Sequence, residues 1–339
     1  MRSLRLLLAL LLLAEPVRIA AVGDPEASGQ TVGPFLPSPN PSAPAQSHLG
    51  LPPQVLQQTR DALDQIFHAH SDAAVAIARG LQQRMPNHPI GYLLEVEADW
   101  WATYCHACEI RYNLIDAWSR GHVKQDDAYF ALADRAIQLA EAQLSGQESA
   151  AMHLFAGMGY GLRVRLHGLR ADHLAVARTG VKGREHFLRA LALDPQMGDA
   201  LTGIGLYNYL ADALSTFTKV LRFFMGIPGG NKKEGIQQLE TAMATAELTV
   251  VEARYYLARN FRNFDQRYAR SAELLEPLVA HYPDNPLFQL LLGDMYARLN
   301  RKDAASLHFH AAQQIKVTDV ACAARVQSLA AAALTAIGR

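Results

Sequence analysis

Along most of the chain, apolar and small residues recur at spacings of three and four, the period of one face of an α-helix. The pattern is plainest over Gly183–Tyr209. Gly183, Phe187 and Ala190 share a face, Asp194-Pro195 stops that helix, and Leu201, Ile204, Gly205 and Leu206 open another. Two short antiparallel helices follow from this spacing. A unit of that size cannot bury its apolar face alone, so the pattern predicts neighbours stacked on both sides.

The same period recurs on either side. It begins at Gln54 with Leu56, Leu63, Ile66 and Phe67 on one face, and a second helix is announced by Ser71-Asp72 and stopped by Pro86 and Pro89. Helices are then predicted over Ile90–Tyr104, Ala128–Leu144, Ala150–Leu166 and from about Asp172, with Cys105–Asp126 irregular. After Tyr209 the period breaks. The apolar segment with Phe217, Val220, Leu221, Phe223 and Phe224 predicts an inserted helix, then a turn at Pro228-Gly229-Gly230 and a helix capped by Asn231. Pairs resume with Ile236–Ala246 and Val251–Phe264, Ser271–Tyr282 and Leu287–Leu299, and Ala304–Ile315 and Ala321–Ile337.

Composition agrees with an almost wholly helical protein, because Ala and Leu dominate and β-branched runs are scarce. Half of the 339 residues are apolar, enough for a large core. Acids and bases are equal at 32 each, so no global field favours nucleic acid or anionic lipid. The first residues read as an address. Arg2 and Arg5 precede the apolar run Leu6–Ala14, and Ala21-Val22-Gly23 is a small-x-small cleavage site. Nine apolar residues fall short of the roughly 20 needed to span a bilayer, so residues 1–23 are expected to be a cleaved export signal, and the protein to be periplasmic or secreted if bacterial. Residues 24–53 hold half of all the prolines and read as a disordered linker, leaving 54–339 as the folded domain.

Two repeat units overlay. Phe187, Ala190 and Pro195 lead to Leu201, Gly205 and Tyr209, as Leu275, Leu278 and Pro283 lead to Gln289, Leu292, Gly293 and Tyr296. The second unit continues with Ala305, Phe309 and Ala312, and Gly157 with Tyr160 and Leu257-Ala258 with Phe261 repeat its first half. This order of leucine, glycine, tyrosine, alanine, phenylalanine and alanine resembles the tetratricopeptide repeat, across roughly Gln54 to Ile337. The segment IPGGNKKEGIQQLE is similar to one in exported bacterial proteins of that type and, more faintly, in mitochondrial outer-membrane ones. The resemblance implies an all-α fold, an α-solenoid of stacked antiparallel helix pairs without enzymatic activity, and a protein or peptide bound in a concave groove. It places the groove on the first helix of each pair: Asp199, Thr202 and Tyr209; Glu252, Tyr255, Arg259 and Arg262; Leu290, Asp294 and Arg298. Arg259, Arg262 and Arg298 would clamp carboxylates of a peptide.

No H-E-x-x-H, G-x-S-x-G or G-x-G-x-x-G signature occurs, so catalysis has no visible carrier and no cofactor is expected. Gly226–Lys233 lacks the strand, spacing and Ser or Thr of a P-loop and reads as a turn. The rival reading is an exported metal, haem or redox protein using Cys105, His106 and Cys108, whose thiols lie one helical turn apart and could pair as a Cys105–Cys108 disulfide or serve as buried thiols. Haem attachment would need His at 109, where Glu stands. Trp100, Trp101, Tyr104, Tyr112 and Trp118 read as a core between helices, with a binding surface as the alternative. His68/His70 and His308/His310 sit two apart, which on a helix points them about 200° apart and forbids a chelate.

Overall fold

A computed structural model describes residues 47–110, 115–117, 120–213, 223 and 226–338. The chain divides into Met1–Pro34 and Phe35–Arg339, and every described residue belongs to the second unit. The expected export signal, most of the Pro-rich stretch, Tyr112, Trp118 and nearly all of the segment expected to form an inserted helix after Tyr209 lie outside the described residues.

Thirteen α-helices run through the described residues: α1 Pro53–Phe67, α2 Ser71–Arg84, α3 Ile90–Ala107, α4 Gln125–Leu144, α5 Ala150–Leu169, α6 His173–Leu193, α7 Gly198–Ala213, α8 Lys232–Thr245, α9 Val250–Asn260, α10 Tyr268–His281, α11 Pro286–Arg298, α12 Lys302–Gln314 and α13 Val320–Ala336. The caps follow the sequence. Ser149, Asp172, Asn231, Asn285 and Asp319 each accept a backbone N–H of the first turn, and Pro53 and Pro286 open helices where a missing N–H costs nothing. Several pairs turn through one left-handed residue: Ala69 (φ 58°) in α1/α2, Ala171 (φ 55°) in α5/α6 and Asn300 (φ 58°) in α11/α12. In the α9/α10 pair, α9 runs into a π-turn, Phe261–Asp265, before Gln266 (φ 54°) makes the corresponding bend.

Two expectations change. The segment after α3 is not wholly irregular, because Cys108–Ile110 (β1) and Ile115–Ala117 (β2) pair antiparallel, Cys108 opposite Ala117. The folded part also begins before residue 54. Leu49 is fully buried, the His48 ring lies 2.6 Å from Asp194, and the His48 N–H donates to Glu247 at 2.8 Å. Through His48 this stretch is tied to the turns after α6 and before α9 instead of continuing the linker.

Small residues set the close approaches. A Cβ on Gly157 of α5 or Gly203 of α7 would fall within 2.7 Å or 2.1 Å of the Phe187 ring, so Phe187 of α6 is seated between two glycines of its neighbours. Gly293 of α11 receives Phe309 of α12 in the same way. Gly157, Gly293 and Phe309 stand at positions that the repeat pattern gives to glycine and phenylalanine, whereas in α7 it is Gly203, and not the pattern's Gly205, that receives Phe187. The architecture is a tetratricopeptide-like stack of helix pairs.

The odd-numbered helices form an inner layer. α3 packs on α1 and α5, α5 on α7, α7 on α9, and α11 on α13. Tyr255 of α9 meets Phe288 of α11 with ring centroids 5.6 Å apart, and α13 packs back on α3. The inner circuit is closed.

Candidate functional site

Closure fills the face on which a groove was expected. Trp101 of α3 lies 5.0 Å from Tyr255, 5.9 Å from Phe288 and 5.6 Å from Phe67, centroid to centroid, largely edge to face. Tyr104 receives a hydrogen bond from the Tyr255 hydroxyl at 3.0 Å, and Trp100 donates to the Tyr256 hydroxyl at 3.1 Å. Trp100, Trp101 and Tyr104 are thus core.

The groove residues inferred from the resemblance are consequently structural. Tyr209 is fully buried and donates to the Asn260 carbonyl and to Asp265 at 2.7 Å. Asp199 is buried and accepts the N–H groups of Glu247, Leu248 and Thr249, thereby capping the turn before α9, and Thr202 bonds Thr249 at 2.8 Å. Leu290 is buried. Arg262 and Asp294, each 1% exposed at the side chain, pair at 2.9 Å, and Arg298 reaches the same carboxylate oxygen at 3.1 Å. Burial pushes the Asp294 carboxyl up against the pull of both arginines. Arg259, the third arginine of the expected clamp, is half-buried. A carboxylate of this chain occupies the place assigned to a peptide's.

The second polar centre lies between α3, α5 and α9. Arg165 donates to both carboxylate oxygens of Glu97 at 2.8 and 2.9 Å, and also to Glu252. Its guanidinium stacks 5.0 Å from the Tyr256 ring, and Trp101 donates to Glu97 at 2.8 Å. One cation shared by two buried carboxylates leaves an uncompensated negative charge. Burial, then the nearby Glu97, raises the Glu252 carboxyl to about 7, against the pull of Arg165. With both carboxylates committed to Arg165, the cluster is a clasp between three helices.

The cysteines do not pair locally. Cys105 is bonded to Cys322, 217 residues away, while Cys108 is buried outside the disulfide. The expectation of a Cys105–Cys108 bridge is corrected because the closing circuit brings α13 to the end of α3. His106 turns to Asp319 at 2.8 Å, so Cys105, His106 and Cys108 do not converge on one point in this state. His68 and His70 do not share a helix. α1 ends at Phe67, so His68 and His70 flank the left-handed Ala69, and their rings stack 5.9 Å apart near Asp284. His308 and His310 turn to different partners, Gln289 and Gln313.

One open concavity is on the outer side. Between α6 and α8, over α7, lies a groove of about 270 Å³ lined by Arg184, Leu188, Leu191, Ile204, Asn208 and Glu234, among others. Leu188 is 40% exposed. Asn208 donates to Gln238 at 2.9 Å, Tyr207 donates to the Pro228 carbonyl at 2.8 Å, and Arg184 lies over the Tyr207 ring at 5.4 Å. Gly230 lets the turn before α8 close over α7, since a Cβ there would stand 2.3 Å from the Asn208 carbonyl. The Gly226–Lys233 stretch is thus a turn and helix start, as expected. Sequence reasoning missed the groove because Leu188 and Leu191 lie off the Gly183–Phe187–Ala190 face that it followed.

No family model matches the chain, and no curated protein does. Among solved structures, the chain is similar to one in the crystal structure of the APC/C hetero-tetramer Cut9-Hcn1, at 10% identity and a TM-score of 0.33, over 81% of this chain and 47% of that one. The chain spans about half the length of the structure it matches.

Proposed function

We propose that this protein is an exported, non-enzymatic helical-repeat scaffold that holds a protein partner on its outer surface. The observation that carries the reading is the α6–α8 groove. Its apolar floor, Leu188, Leu191 and Ile204, is framed by Arg184, Asn208 and Glu234, while the inner face is filled by Trp100, Trp101 and Tyr104. An apolar anchor with a polar rim is the chemistry that takes a peptide or a short helix of a partner. Two features support export: the signal-like residues 1–23, and the Cys105–Cys322 disulfide, which suits an oxidising compartment. No described helix is long and apolar enough to cross a membrane.

A photo-crosslinking residue at Leu188, in the full chain expressed in its native cell, tests the reading. A discrete protein adduct is expected there and not at Leu307, which is 67% exposed on α12. Equal adducts at both positions, or none at Leu188, would overturn it. Recovery of the chain from the cytosol with residues 1–23 intact would overturn the proposed location.

A further inference from the structure

We propose that His153 and His186 form a binding site for a divalent transition-metal ion on the outer side of the α5/α6 pair. His153 lies in the first turn of α5 and His186 in the second half of α6, so the antiparallel packing of the pair brings them side by side. Their Nδ1 atoms are 3.0 Å apart, and the rings are mostly buried, at 12% and 18% side-chain exposure.

The orientation of each ring is set from its far side. His153 Nε2 faces Glu148 at 3.2 Å, and that carboxylate is held in turn by Arg189 at 3.0 Å. His186 Nε2 faces Glu141 at 3.5 Å, and that carboxylate accepts the Tyr160 hydroxyl at 2.8 Å. Tyr160 also stacks on His186 with the rings 23° from parallel. A carboxylate beside Nε2 favours the proton on that nitrogen, which leaves Nδ1 with a lone pair. Both Nδ1 lone pairs then point at one space. Two lone pairs at that separation require a positive centre between them, either a metal ion or a single shared proton.

Metal-bound histidines almost always donate the other ring N–H to a carboxylate, a backbone carbonyl or water, and here each Nε2 faces a carboxylate. With metal–nitrogen bonds of about 2.1 Å, a nitrogen separation of 3.0 Å gives an angle near 90°. That is the cis arrangement of square or octahedral coordination, which favours Ni²⁺ or Cu²⁺, while Zn²⁺ would need the pair to open slightly. Among the described residues no group of three or more His, Cys, Asp or Glu side chains is placed to hold a metal ion. The site therefore supplies two nitrogens and leaves the other positions to water or to a donor from outside the chain.

The test is calorimetric titration of the tag-free, chelator-stripped full chain with Ni²⁺, Cu²⁺ and Zn²⁺, with the electron spin resonance of bound Cu²⁺ as a second readout. One equivalent of metal with two nitrogen couplings is expected. His153→Gln and His186→Gln, which preserve size and polarity, should each weaken binding at least ~10-fold, and Glu148→Gln about 10-fold through the ring it orients. His68→Ala should leave binding unchanged. Unaltered melting curves of the metal-free variants would show that each has folded. Absence of a stoichiometric site, or binding that survives both glutamine variants, overturns the proposal, as does an NMR signal for an Nδ1 proton shared by the two rings that metal does not displace.

Discussion

Cys105 near the end of α3 is joined to Cys322 in the first turn of α13, with Cα atoms 5.3 Å apart across 217 residues of sequence. Two further contacts share the seam: His106 with Asp319 at 2.8 Å, and the Arg325 guanidinium donating to the Cys108 carbonyl at 2.5 Å. The disulfide thereby locks the helices at which the inner circuit closes. A cross-link over so long a loop removes much of the freedom of the unfolded chain, so Cys322→Ser should lower the free energy of unfolding by roughly 2–5 kcal/mol. Cys108→Ser should leave the bridge in place. Non-reducing peptide mapping checks the pairing, and a Cys105–Cys108 peptide in the native protein would contradict it.

The Arg165 clasp makes stability depend on pH in a defined sense. Glu252 titrates at about 7 in the fold, against an ordinary value of 4.5. Its folded value is the higher, so the native state holds the proton more tightly than the unfolded chain. The associated stability is complete below pH 4.5 and is lost as pH rises towards 7. Burial, together with Glu95, similarly raises Asp99 of α3 to about 6. Urea unfolding from pH 4.5 to 8 should show a loss on the order of 1–3 kcal/mol for the Glu252 contribution. Glu252→Gln should flatten that part of the profile, and an unchanged slope in the variant would rule Glu252 out as its source.

The helices were legible in the sequence because local signals agree there. Asp194-Pro195, Asn231 and Asn285 punctuate a 3.6-residue period, and Gly293 and Phe309 mark a close approach. The closure was not legible. Cys105 and Cys108 suggest each other by spacing, whereas the partner that wins is decided by how far the stack curves over 217 residues. The groove positions failed for the same reason. Tyr209, Tyr255 and Asp294 do face inward, but the inside is occupied, and the signal for this was the run Trp100-Trp101 on α3, too large and apolar for a solvated surface. Arg262 and Asp294 read as separate surface charges until adjacent repeats set them 2.9 Å apart.

The contact of α7 with α8 rests on two glycines. A Cβ on Gly235 would stand 2.7 Å from both the Gly205 carbonyl and the Tyr209 nitrogen, and one on Gly205 would stand 2.9 Å from the Gly235 carbonyl. Alanine would favour an isolated helix by about 1 kcal/mol. Here the clash is with backbone, which cannot step aside, so the helices must separate and Tyr209 must shift from Asp265. Gly235→Ala should therefore destabilise by roughly 1–3 kcal/mol despite its helix propensity. Thermal unfolding checks the sign, and a stabilised variant would mean that α8 moves freely on α7.

The inner arginines and the outer groove should separate cleanly in their effects. Asp294 holds Arg262 and Arg298 in a buried site, so Asp294→Ala leaves the Arg262 guanidinium buried without its carboxylate and should cost about 3–5 kcal/mol. Arg298→Ala should cost less, because its side chain is 15% exposed and Arg262 still pairs with Asp294. The double variant Arg262→Met with Asp294→Leu should recover much of the loss, since replacing both partners of a buried pair by apolar groups removes the desolvation penalty. Leu188→Glu should do the reverse. It places a charge on an exposed position, leaving stability within about 0.5 kcal/mol, yet it puts a carboxylate into the apolar floor of the α6–α8 groove. Partner capture should fall with Leu188→Glu and persist with Arg298→Ala. Denaturant midpoints measured beside crosslinking yields decide the matter: if capture is lost with Arg298→Ala at unchanged stability, the partner reads the inner face and the outer groove is not its site.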